Sequence, residues 1–540
     1  MKDISSTGSF INFYLNNYIY VDKTQYIRDL IKLERVFISR PRRFGKSLTL
    51  DTIATLFETG VEPYFKGTWI YDKWTEPTYP VLRLNFLNFD KNSLEKFNNK
   101  LNSKITEFAE LNDVTTYKEK EEAEDSIDHL LEQLRLEGRQ IVILIDEYDC
   151  QMTANINNET LYKQFQEKIK SFYATIKNKW PIKFLGITGV TRLKDVEIFS
   201  IGSDIRDITN ASAYSQMIGF TRDEIKKYYI DYLTLAASYE NNCSVDKVTD
   251  AQIESMLDMM AQNYDGYCFD EFYKKKVFST WSVNSFFQSI IENKFVYFDE
   301  YWYDNGGLPS ILVNYLKTHE LNIFEYLDKD KFLKVSSDDF KNPTALTTIN
   351  QNVLMCQTGY LTLRSDLNKT STVALGIPNG EIYKALNRLL ANNIFKGNTD
   401  ITDDYGRSLL EVGTVDDIIN LFNSALNSVS YDNYPIVSES SVQNMLKLYL
   451  LGAHQEVLSE VHEAKGRADL VVNTDNKRIV FEFKYAKNET EAKSKLSEAV
   501  EQIKTRDYGN IVPKKAELLR IAAVFNADPK VRAFTEYQEV

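Results

Sequence analysis

The sequence has few of the residues and patterns that mark specialised classes of protein. Its 540 residues include four cysteines, far apart and without CxxC spacing, and four histidines. These counts argue against a disulfide scaffold or a histidine-rich metal cluster, and the thiols are expected to be reduced. The sequence has no run of about 18 apolar residues and no basic-then-apolar secretory pattern at its N-terminus. We therefore expect a cytoplasmic protein without a membrane partner.

Internal repeats, low-complexity tracts and flexible linkers are also lacking, and the composition is that of a globular protein. Hydrophobic residues make up 43% and charged residues 26% of the chain. A net charge of −13 disfavours a protein that coats nucleic acid. Residues 431–540 hold 16 lysines and arginines against 17 acids, which leaves −12 for the first 430 residues. The C-terminal part is therefore the part least repelled by nucleic acid.

The first part of the chain alternates strand-like and helical patterns. "RVFISR", residues 35–40, predicts a strand, and "SLTLDTIATLFE" predicts a helix that begins at Ser47. Further strands are predicted by "YPVLRLNFLNF", "RQIVILIDEYD" and "IKFLGITGVTR", the last two being buried on both faces. This alternation predicts an α/β fold with a parallel sheet flanked by helices.

Different patterns follow further along the chain. From about Phe220, amphipathic helices are predicted to extend beyond residue 340. "TGYLTLRSD" and "STVALGIPNGEIYKAL" predict a small strand pair and a helix. After Tyr431 come a predicted helix, "SESSVQNMLKLYLLG", and the strands "ADLVVNT" and "RIVFEFKYA" around a hairpin loop, "NTDNK". The predicted domains are residues 1–220, 221–345, 346–430 and 431–540.

The segment "RPRRFGKS", residues 40–47, lies between a predicted strand and a predicted helix. A bound triphosphate needs inward-pointing backbone N–H groups, a helix N-terminus, a lysine and a hydroxyl group for Mg²⁺. Gly45, Lys46 and Ser47 supply the last three of these, and Arg43 and Phe44 are the adjoining residues of the loop. The segment therefore predicts a nucleotide site, with an exposed basic turn as the alternative interpretation.

Arg40 stands where the usual phosphate-loop pattern has its first glycine. Arginine adopts a turn with positive φ at a higher free-energy cost than glycine does. We therefore expect nucleotide binding, and a nucleotide-binding fold without turnover is a further hypothesis.

Polar residues follow two of the predicted buried strands. Asp146 and Glu147 come at the carboxyl end of one strand, where ligands bind in open α/β sheets. Asp146 is expected to reach Mg²⁺ and Glu147 to orient or deprotonate the attacking water. Thr188 and Arg192 end the other strand and are expected to sense the γ-phosphate and neutralise developing charge. The alternatives are a capped or solvated strand end for the acids and a structural turn for Thr188 and Arg192.

Several short motifs, taken in order, resemble those of a known family. They are "YVDKT" (20–24), "RPRRFGKS", "YPVLRLNF", "LIDEYD", "ITGVTR", "FS" (199–200), "IGFT" (218–221) and "YDGYCF" (264–269). They resemble the AAA-ATPase-like family, which carries a fused C-terminal nuclease-like domain. The resemblance implies a P-loop NTPase sheet with a helical middle region, ATP as the ligand and Arg40 as an accepted variant. Within "YVDKT", stacking of Tyr20 on adenine and a bridge from Lys23 to a carboxylate are hypotheses beside a packed N-terminal turn.

A second candidate site lies in "GRADLVVNTDNKRIVFEFK", residues 466–484. Asp469 begins one predicted strand, while Glu482 and Lys484 share a face of the next. The hairpin can place Asp469 beside Glu482, and two close carboxylates suit Mg²⁺ or Mn²⁺. With a lysine beside them, these groups suit metal-assisted phosphodiester hydrolysis. The alternative is a charged hairpin with a solvated face, although the apolar residues around Glu482 favour a site.

This C-terminal pattern resembles the PD-(D/E)XK nuclease-like domains of the same family, which are α/β folds. The matching stretches are "SEVHEAKGRAD" (459–469) and "FEFK" (481–484), with a glutamate, Glu439, on the preceding helix. The resemblance implies that Asp469 and Glu482 bind metal, that Lys484 is the catalytic lysine and that Glu439 is an accessory acid.

Three other positions bear on this resemblance. Gln502 matches a glutamine often found on the following helix, with Tyr508 nearby. Gln443 stands where family members often have histidine, which argues against a general base there. His462 is expected to be a surface residue.

Two classes of function fit these patterns. The first is an ATP-binding and hydrolysing protein coupled to a metal-dependent DNA nuclease, which the family resemblance connects with mobile elements or genome defence. The second is a signalling or scaffolding ATPase whose non-catalytic nuclease-like domain binds nucleic acid or protein, and the charge of −13 favours it. Both functions are compatible with an oligomeric assembly.

Overall fold

The computed structural model describes residues 1–193, 204–302, 310–316, 319, 323–343, 345–395, 407–453, 455–463, 466–474, 476–508 and 517–540. Phe199 and Ser200 of the family motif, and the side chain of His462, lie outside the described part. The chain divides into two units, residues 1–319 with 332–382 and residues 320–331 with 383–540. None of the helices in the described ranges has the length and apolarity to cross a bilayer. The four predicted domains remain a prediction.

The first unit combines parallel strands with helices. Its helices are α1 Phe10–Leu15, α2 Thr24–Ile31, α3 Lys46–Thr59, α4 Leu94–Leu111, α5 Ala123–Leu136, α6 Cys150–Ala154, α7 Glu159–Ile176, α8 Arg222–Tyr228, α9 Ile230–Glu240, α10 Asp250–Tyr264, α11 Thr280–Asn293, α12 Ser310–Leu316, α13 Ser337–Lys341 and α14 Gln351–Thr358. Its strands are β1 Arg35–Ser39, β2 Val81–Asn85, β3 Ile141–Asp146, β4 Ile182–Gly189, β5 Arg206–Asp207, β6 Leu333–Ser336, β7 Thr362–Leu363 and β8 Thr372–Gly376. Helix α15, Gly380–Ile394, includes the boundary between the units.

The main sheet of this unit has the strand order β2-β3-β4-β1-β5, and its strands run parallel. Every residue of β3 is buried, as expected for a strand covered on both faces. The predicted parallel sheet is therefore confirmed, and the predicted strands are present, as is the helix predicted to begin at Ser47, which is α3. Because β4 lies between β1 and β3, the loop after β1 and the ends of β3 and β4 meet at one edge of the sheet.

A helical region follows the sheet and has an apolar core of its own. Helices α8 and α10 each begin with a capping box, at Thr221 and Thr249, which satisfies backbone N–H groups of the first turn. Tyr229, Met260 and Phe287 are among its buried residues. The predicted helices are therefore present in this region.

The prediction missed one strand in residues 221–345. Strand β6 forms an antiparallel sheet of order β6-β8-β7 with the two predicted strands. It has four residues and only two of them are buried, so its pattern is too short to distinguish from that of a helix end.

The second unit is built around another sheet. Its helices are α16 Arg407–Val412, α17 Val415–Asn427, α18 Glu439–Gly452 and α19 Glu489–Arg506, besides the end of α15. Its strands are β9 Glu456–Glu463, β10 Gly466–Asn473, β11 Lys477–Ala486, β12 Glu517–Asn526 and β13 Ala533–Glu539, in the order β13-β12-β11-β10-β9.

The predicted hairpin is the centre of this second sheet. β10 and β11 are antiparallel, and Leu470 lies opposite Phe481. This register sets Asp469 beside Glu482, since the two strands run in opposite directions. β11 and β12 are parallel and are connected through α19, whose Ala499 and Ile503 are buried in the core under the sheet. The unit therefore has the α/β architecture that was predicted.

Candidate nucleotide and metal sites

In the loop after β1, the residues with a left-handed backbone conformation do not include Arg40. Gly45 has φ of +100° and Arg43 has φ of +70°, whereas Arg40 does not have positive φ. The prediction that Arg40 bears the free-energy cost of a left-handed turn is therefore wrong. The turn falls on Arg43 and Gly45 because α3 begins at Lys46, directly after them.

Aromatic and backbone contacts hold this loop in place. The ring of Phe44 is buried and packs edge-on against Tyr267, with ring centroids 4.7 Å apart. The carbonyl of Arg43 accepts a hydrogen bond of 2.9 Å from the Thr280 hydroxyl, and its guanidinium group lies 3.9 Å from the centre of the Trp281 ring. Phe44 therefore anchors the loop through its side chain and can meet a nucleotide through its backbone.

Lys46 is buried and folds back on its own loop. Its Nζ donates to the carbonyls of Arg40 and Pro41, at 3.0 and 3.1 Å, and lies 3.6 Å from Oε1 of Glu147. Burial raises the pKa of Glu147, and the charge of Lys46 acts in the opposite direction. The predicted lysine and acid are therefore together, and a phosphate would take the place of the carbonyls around Lys46.

Asp146 is the centre of a second group of contacts at this edge of the sheet. Its Oδ2 accepts hydrogen bonds from the Ser47 hydroxyl at 2.7 Å and from the Asn85 amide at 3.4 Å. Its Oδ1 accepts a hydrogen bond of 2.5 Å from the Thr188 hydroxyl. The structure thus brings together Ser47, Asp146 and Thr188, which suit an octahedral, oxygen-liganded Mg²⁺.

The contact of Asn85 with Asp146 was not predicted from the sequence. Asn85 ends β2 and lies opposite Asp146, the last residue of β3. A polar residue at the end of a strand next to β3 was the available signal, because the ends of neighbouring parallel strands share one edge of the sheet.

Arg192 lies apart from this group. Its guanidinium group forms an ion pair with Asp207, and it lines a small cavity with Arg40 rather than the cavity beside Lys46. The structure therefore does not bring Arg192 to the phosphate loop.

A cavity of about 470 Å³ adjoins the loop. Its lining includes residues 42–49 and Glu147, together with apolar side chains such as Ile19, Val21 and Met217. Tyr20 also lines it, and the hypothesised bridge of Lys23 to a carboxylate is present, at 2.6 Å from Glu224. The lining thus combines polar groups of the kind that bind phosphates with apolar side chains of the kind that contact a flat ring.

The second candidate site lies on the β10–β11 hairpin. Nζ of Lys484 lies 2.8 Å from Oε1 of Glu482 and 3.6 Å from Oε1 of Glu439, on α18. Oδ2 of Asp469 accepts a hydrogen bond of 2.8 Å from the backbone N–H of Phe483. The structure thus brings the four predicted residues, Asp469, Glu482, Lys484 and Glu439, into one group.

Glu482 is in an unusual environment for a carboxylate. It is fully buried, and burial together with the charge of Asp469 raises its pKa to about 7. Its Oε2 has no hydrogen-bond partner among the described residues. A buried oxygen of this kind is costly unless a cation or a proton meets it.

These residues fit a divalent cation. Asp469 and Glu482 supply carboxylate oxygens, and one oxygen of Glu482 has no hydrogen-bond partner among the described residues. No group of three or more metal-binding side chains was found in the described ranges. Such a cation would complete its coordination with water, as Mg²⁺ commonly does.

Two parts of the chain match family models. Residues 5–199 match the family described as predicted AAA-ATPases, and residues 437–534 match the PD-(D/E)XK nuclease superfamily. The chain joins a predicted AAA-ATPase domain to a PD-(D/E)XK nuclease-superfamily domain. The ATPase match contains the phosphate loop, Asp146 and Thr188, and the nuclease match contains Glu439, Asp469, Glu482 and Lys484.

Individual proteins are also similar to this chain, at sequence identities of 25% or less. An uncharacterised protein from the vnfD 5′ region of Azotobacter chroococcum is 25% identical over 533 residues, 95% of this chain and 94% of the relative. A Walker-type ATPase of Pyrococcus abyssi has a TM-score of 0.35 at 11% identity, over 67% of this chain and 94% of its own. Cdc6p of Pyrobaculum aerophilum has a TM-score of 0.22 at 11% identity, over 66% of this chain and 89% of its own.

The nuclease-like domain has further polar residues around its acidic group. Gln443 makes a side-chain hydrogen bond to Asp469, and the Gln502 amide donates to the Tyr508 hydroxyl at 3.3 Å. Arg506 also donates to that hydroxyl, at 2.9 Å, and was missed by the sequence analysis. Glycine at position 466 leaves room for this arginine, because an added Cβ would lie 2.6 Å from Cδ of Arg506, and this contact joins residues too far apart in sequence to give a local signal.

Proposed function

We propose that this protein binds and hydrolyses ATP and that its nuclease-like domain cleaves DNA with Mg²⁺ or Mn²⁺. The observation that carries the nuclease proposal is the fully buried Glu482, whose Oε2 is unpartnered within the described residues, beside Lys484 and Asp469. A purely structural ion pair would have no need for a second carboxylate at this position, because Asp469 raises the cost of charging Glu482.

In the ATPase domain, the proposal assigns phosphate and metal binding to side chains that the structure already brings together. Lys46 would exchange the carbonyls of Arg40 and Pro41 for phosphate oxygens, and Ser47 and Asp146 would hold Mg²⁺. When bound, Mg²⁺ would offset the negative charge of the phosphates. Glu147 would accept a proton from the attacking water, since its raised pKa makes it a better base than an exposed glutamate.

In the nuclease-like domain, Asp469 and Glu482 would hold the divalent cation. When bound, the cation would polarise the phosphodiester and lower the pKa of a bound water. Lys484 would stabilise negative charge on the phosphate oxygens, and it keeps its own charge because neighbouring carboxylates raise its pKa against the effect of burial. Glu439, at 3.6 Å from Lys484, would help to orient this ammonium group.

The two activities are proposed to be coupled, with ATP licensing cleavage. Such coupling needs ATP to bind one arrangement of the protein more tightly than another. A role in mobile-element or genome-defence processes is proposed from the family resemblance, and fold-level analogy is its support.

The direct test measures cleavage of circular, linear and single-stranded DNA by the full chain. Reactions contain Mg²⁺ or Mn²⁺, with and without ATP, and the variants Lys46→Ala and Glu482→Gln are run beside the original protein. We expect metal-dependent cleavage that is lost in Glu482→Gln and that no longer responds to ATP in Lys46→Ala. Folded protein with bound metal that cuts none of these substrates would contradict the nuclease proposal.

A signalling or scaffolding ATPase is the second candidate function. The net charge of −13 favours it, as does the ion pair that already occupies one oxygen of Glu482. Binding of nucleic acid or protein would survive Glu482→Gln in that case, and cleavage would be absent from the original protein as well.

A further inference from the structure

Arg40 is buried in an environment that satisfies only part of its guanidinium group. The residue is 1% exposed, and its Nη1 donates to the carbonyls of Ser39 at 2.9 Å and Thr209 at 2.5 Å. Its Cζ lies 4.1 Å from the centre of the Phe269 ring. The buried Nε and Nη2 have no hydrogen-bond partner in the part of the chain that the structure describes.

The charge of this group is also not matched by a carboxylate in contact. Asp207 is the acid whose charge acts on Arg40, and it forms its ion pair with Arg192 instead. Burial lowers the pKa of Arg40 to about 9, so the guanidinium group is still charged at neutral pH. A buried cation without a hydrogen-bonded counter-ion is expensive, and a bound anion would remove that cost.

Arg40 also lines a small cavity. Its volume is about 40 Å³, and Asn210, Cys268, Cys356 and Gln357 also line it. Burial raises the pKa of Cys268 to about 11 and that of Cys356 to about 12, so the thiols do not supply negative charge at neutral pH. The volume suits one particle close in size to a water molecule, which occupies about 30 Å³ in the liquid, and is too small for a nucleotide.

We propose that this cavity binds one small monovalent anion of halide size, with chloride as the physiological ligand, against Nε and Nη2 of Arg40. The site is separate from the nucleotide cavity and does not depend on the proposed function. The carbonyls of Arg40 and Pro41 hold Lys46 in the structure, so the anion would also steady the start of the phosphate loop. Arginine at this position then has a role that glycine could not fill.

Thermal unfolding of the full chain tests the proposal first. The melting temperature is measured at constant ionic strength while chloride replaces gluconate, an anion too large for the cavity. We expect a saturable rise of about 2–4 °C, because a ligand that binds the folded state alone stabilises it. A melting temperature that does not depend on chloride would overturn the proposal.

Two variants and a control locate the effect. Arg40→Met removes the guanidinium group, and Cys356→Leu reduces the cavity volume while keeping Arg40; each should abolish the chloride dependence. Should one variant fail to fold, the other still decides the question. Arg35→Met is the matched control, since Arg35 is a buried arginine on the same part of the chain with ion pairs to Glu34 and Asp204. It should lower the melting temperature and leave the chloride dependence unchanged.

Crystals of the full chain grown in bromide give a direct view of the ligand. An anomalous bromide peak within about 3.5 Å of Nε or Nη2 of Arg40 is the expected result. Density for water alone in this cavity, at saturating bromide, would show a hydrated arginine and refute the anion site.

Discussion

The ATPase domain and the nuclease-like domain each place a lysine among carboxylates, but they leave different groups unsatisfied. In the ATPase domain, both oxygens of Asp146 accept hydrogen bonds from hydroxyl groups, and Lys46 donates to two carbonyls. In the nuclease-like domain, one oxygen of Glu482 meets Lys484 and the other has no partner in the described residues. Among the described residues, Asp146 and Lys46 therefore have hydrogen-bond partners without a ligand, whereas Oε2 of Glu482 has none.

This difference indicates how each site would respond to its ligand. A nucleotide would have to exchange existing hydrogen bonds around Lys46, so binding there replaces one satisfied arrangement by another. A cation at Glu482 would meet an oxygen that is already desolvated, and its net gain should be larger. We therefore expect the nuclease-like site to be the more sensitive to loss of a single side chain.

The largest effect is expected for Glu482→Gln. The amide keeps the shape of the side chain and removes the charge that would hold the cation. Loss of an outer-shell partner commonly costs 10–100-fold in activity, so loss of this ligand should lower metal-dependent DNA cleavage by at least about 100-fold. Glu439→Gln is the control, because Glu439 is half-exposed and lies further from Lys484. Equal losses in the two variants would contradict the assignment of roles.

Lys46→Ala should have the next largest effect. Removing a preorganised charge from a phosphoryl-transfer site costs on the order of 100-fold in rate, so phosphate release should fall by about that factor. Lys183→Ala removes a lysine that pairs with Glu76 at 2.7 Å and should leave phosphate release unchanged. Phosphate release that persists in Lys46→Ala would show that this loop does not hold the reacting nucleotide.

Thr188→Val is expected to have a smaller effect on the ATPase domain. It removes a buried hydroxyl that donates to Asp146, which should lower the free energy of unfolding by about 1–3 kcal/mol. Phosphate release should fall because Asp146 is no longer oriented on that side. Thr55→Val is the control: its hydroxyl donates to the carbonyl of Asp51 within α3, so phosphate release should stay the same. A comparable loss of phosphate release in Thr188→Val and Thr55→Val would indicate that Thr188 has only a structural role.

The smallest effect concerns Glu381, another buried acid, which accepts hydrogen bonds from Ser282 and Trp302. Burial raises its pKa from 4.5 to about 8. Its protonated form is favoured in the folded state, so its contribution to stability is lost as pH rises from about 4.5 through 8. Glu381→Gln, which resembles the protonated acid, should flatten the dependence of melting temperature on pH between 5 and 9. An unchanged dependence would indicate that Glu381 is charged at neutral pH.

Strands and helices with long periodic patterns could be predicted from the sequence. The parallel sheet, helix α3 and the hairpin at Asp469 and Glu482 follow from apolar runs whose period is set by the backbone. Ser47, Asp146 and Thr188 could be placed together because the ends of parallel strands share one edge. Glu482 could be singled out for a different reason: it stands in the middle of an apolar strand, where a buried carboxylate is costly.

Other features depend on contacts between distant parts of the chain and had no local signal. The ion pair of Arg192 with Asp207, and the burial of Arg40 against Phe269, join residues that are far apart in sequence. The left-handed turn falls at Arg43, and no local pattern distinguishes it from its arginine neighbours. Strand β6 was missed because four residues with two buried side chains do not specify a period.

The contacts of Phe44 and Arg43 bear on how the ATPase domain can be divided experimentally. Their partners, Tyr267, Thr280 and Trp281, all come after residue 220. A truncated protein that stopped at the end of the ATPase family match would retain the glycine, lysine and serine of the loop while exposing the Phe44 ring to water. Recombinant work on the proposed ATPase activity should therefore start from a chain that extends beyond α11.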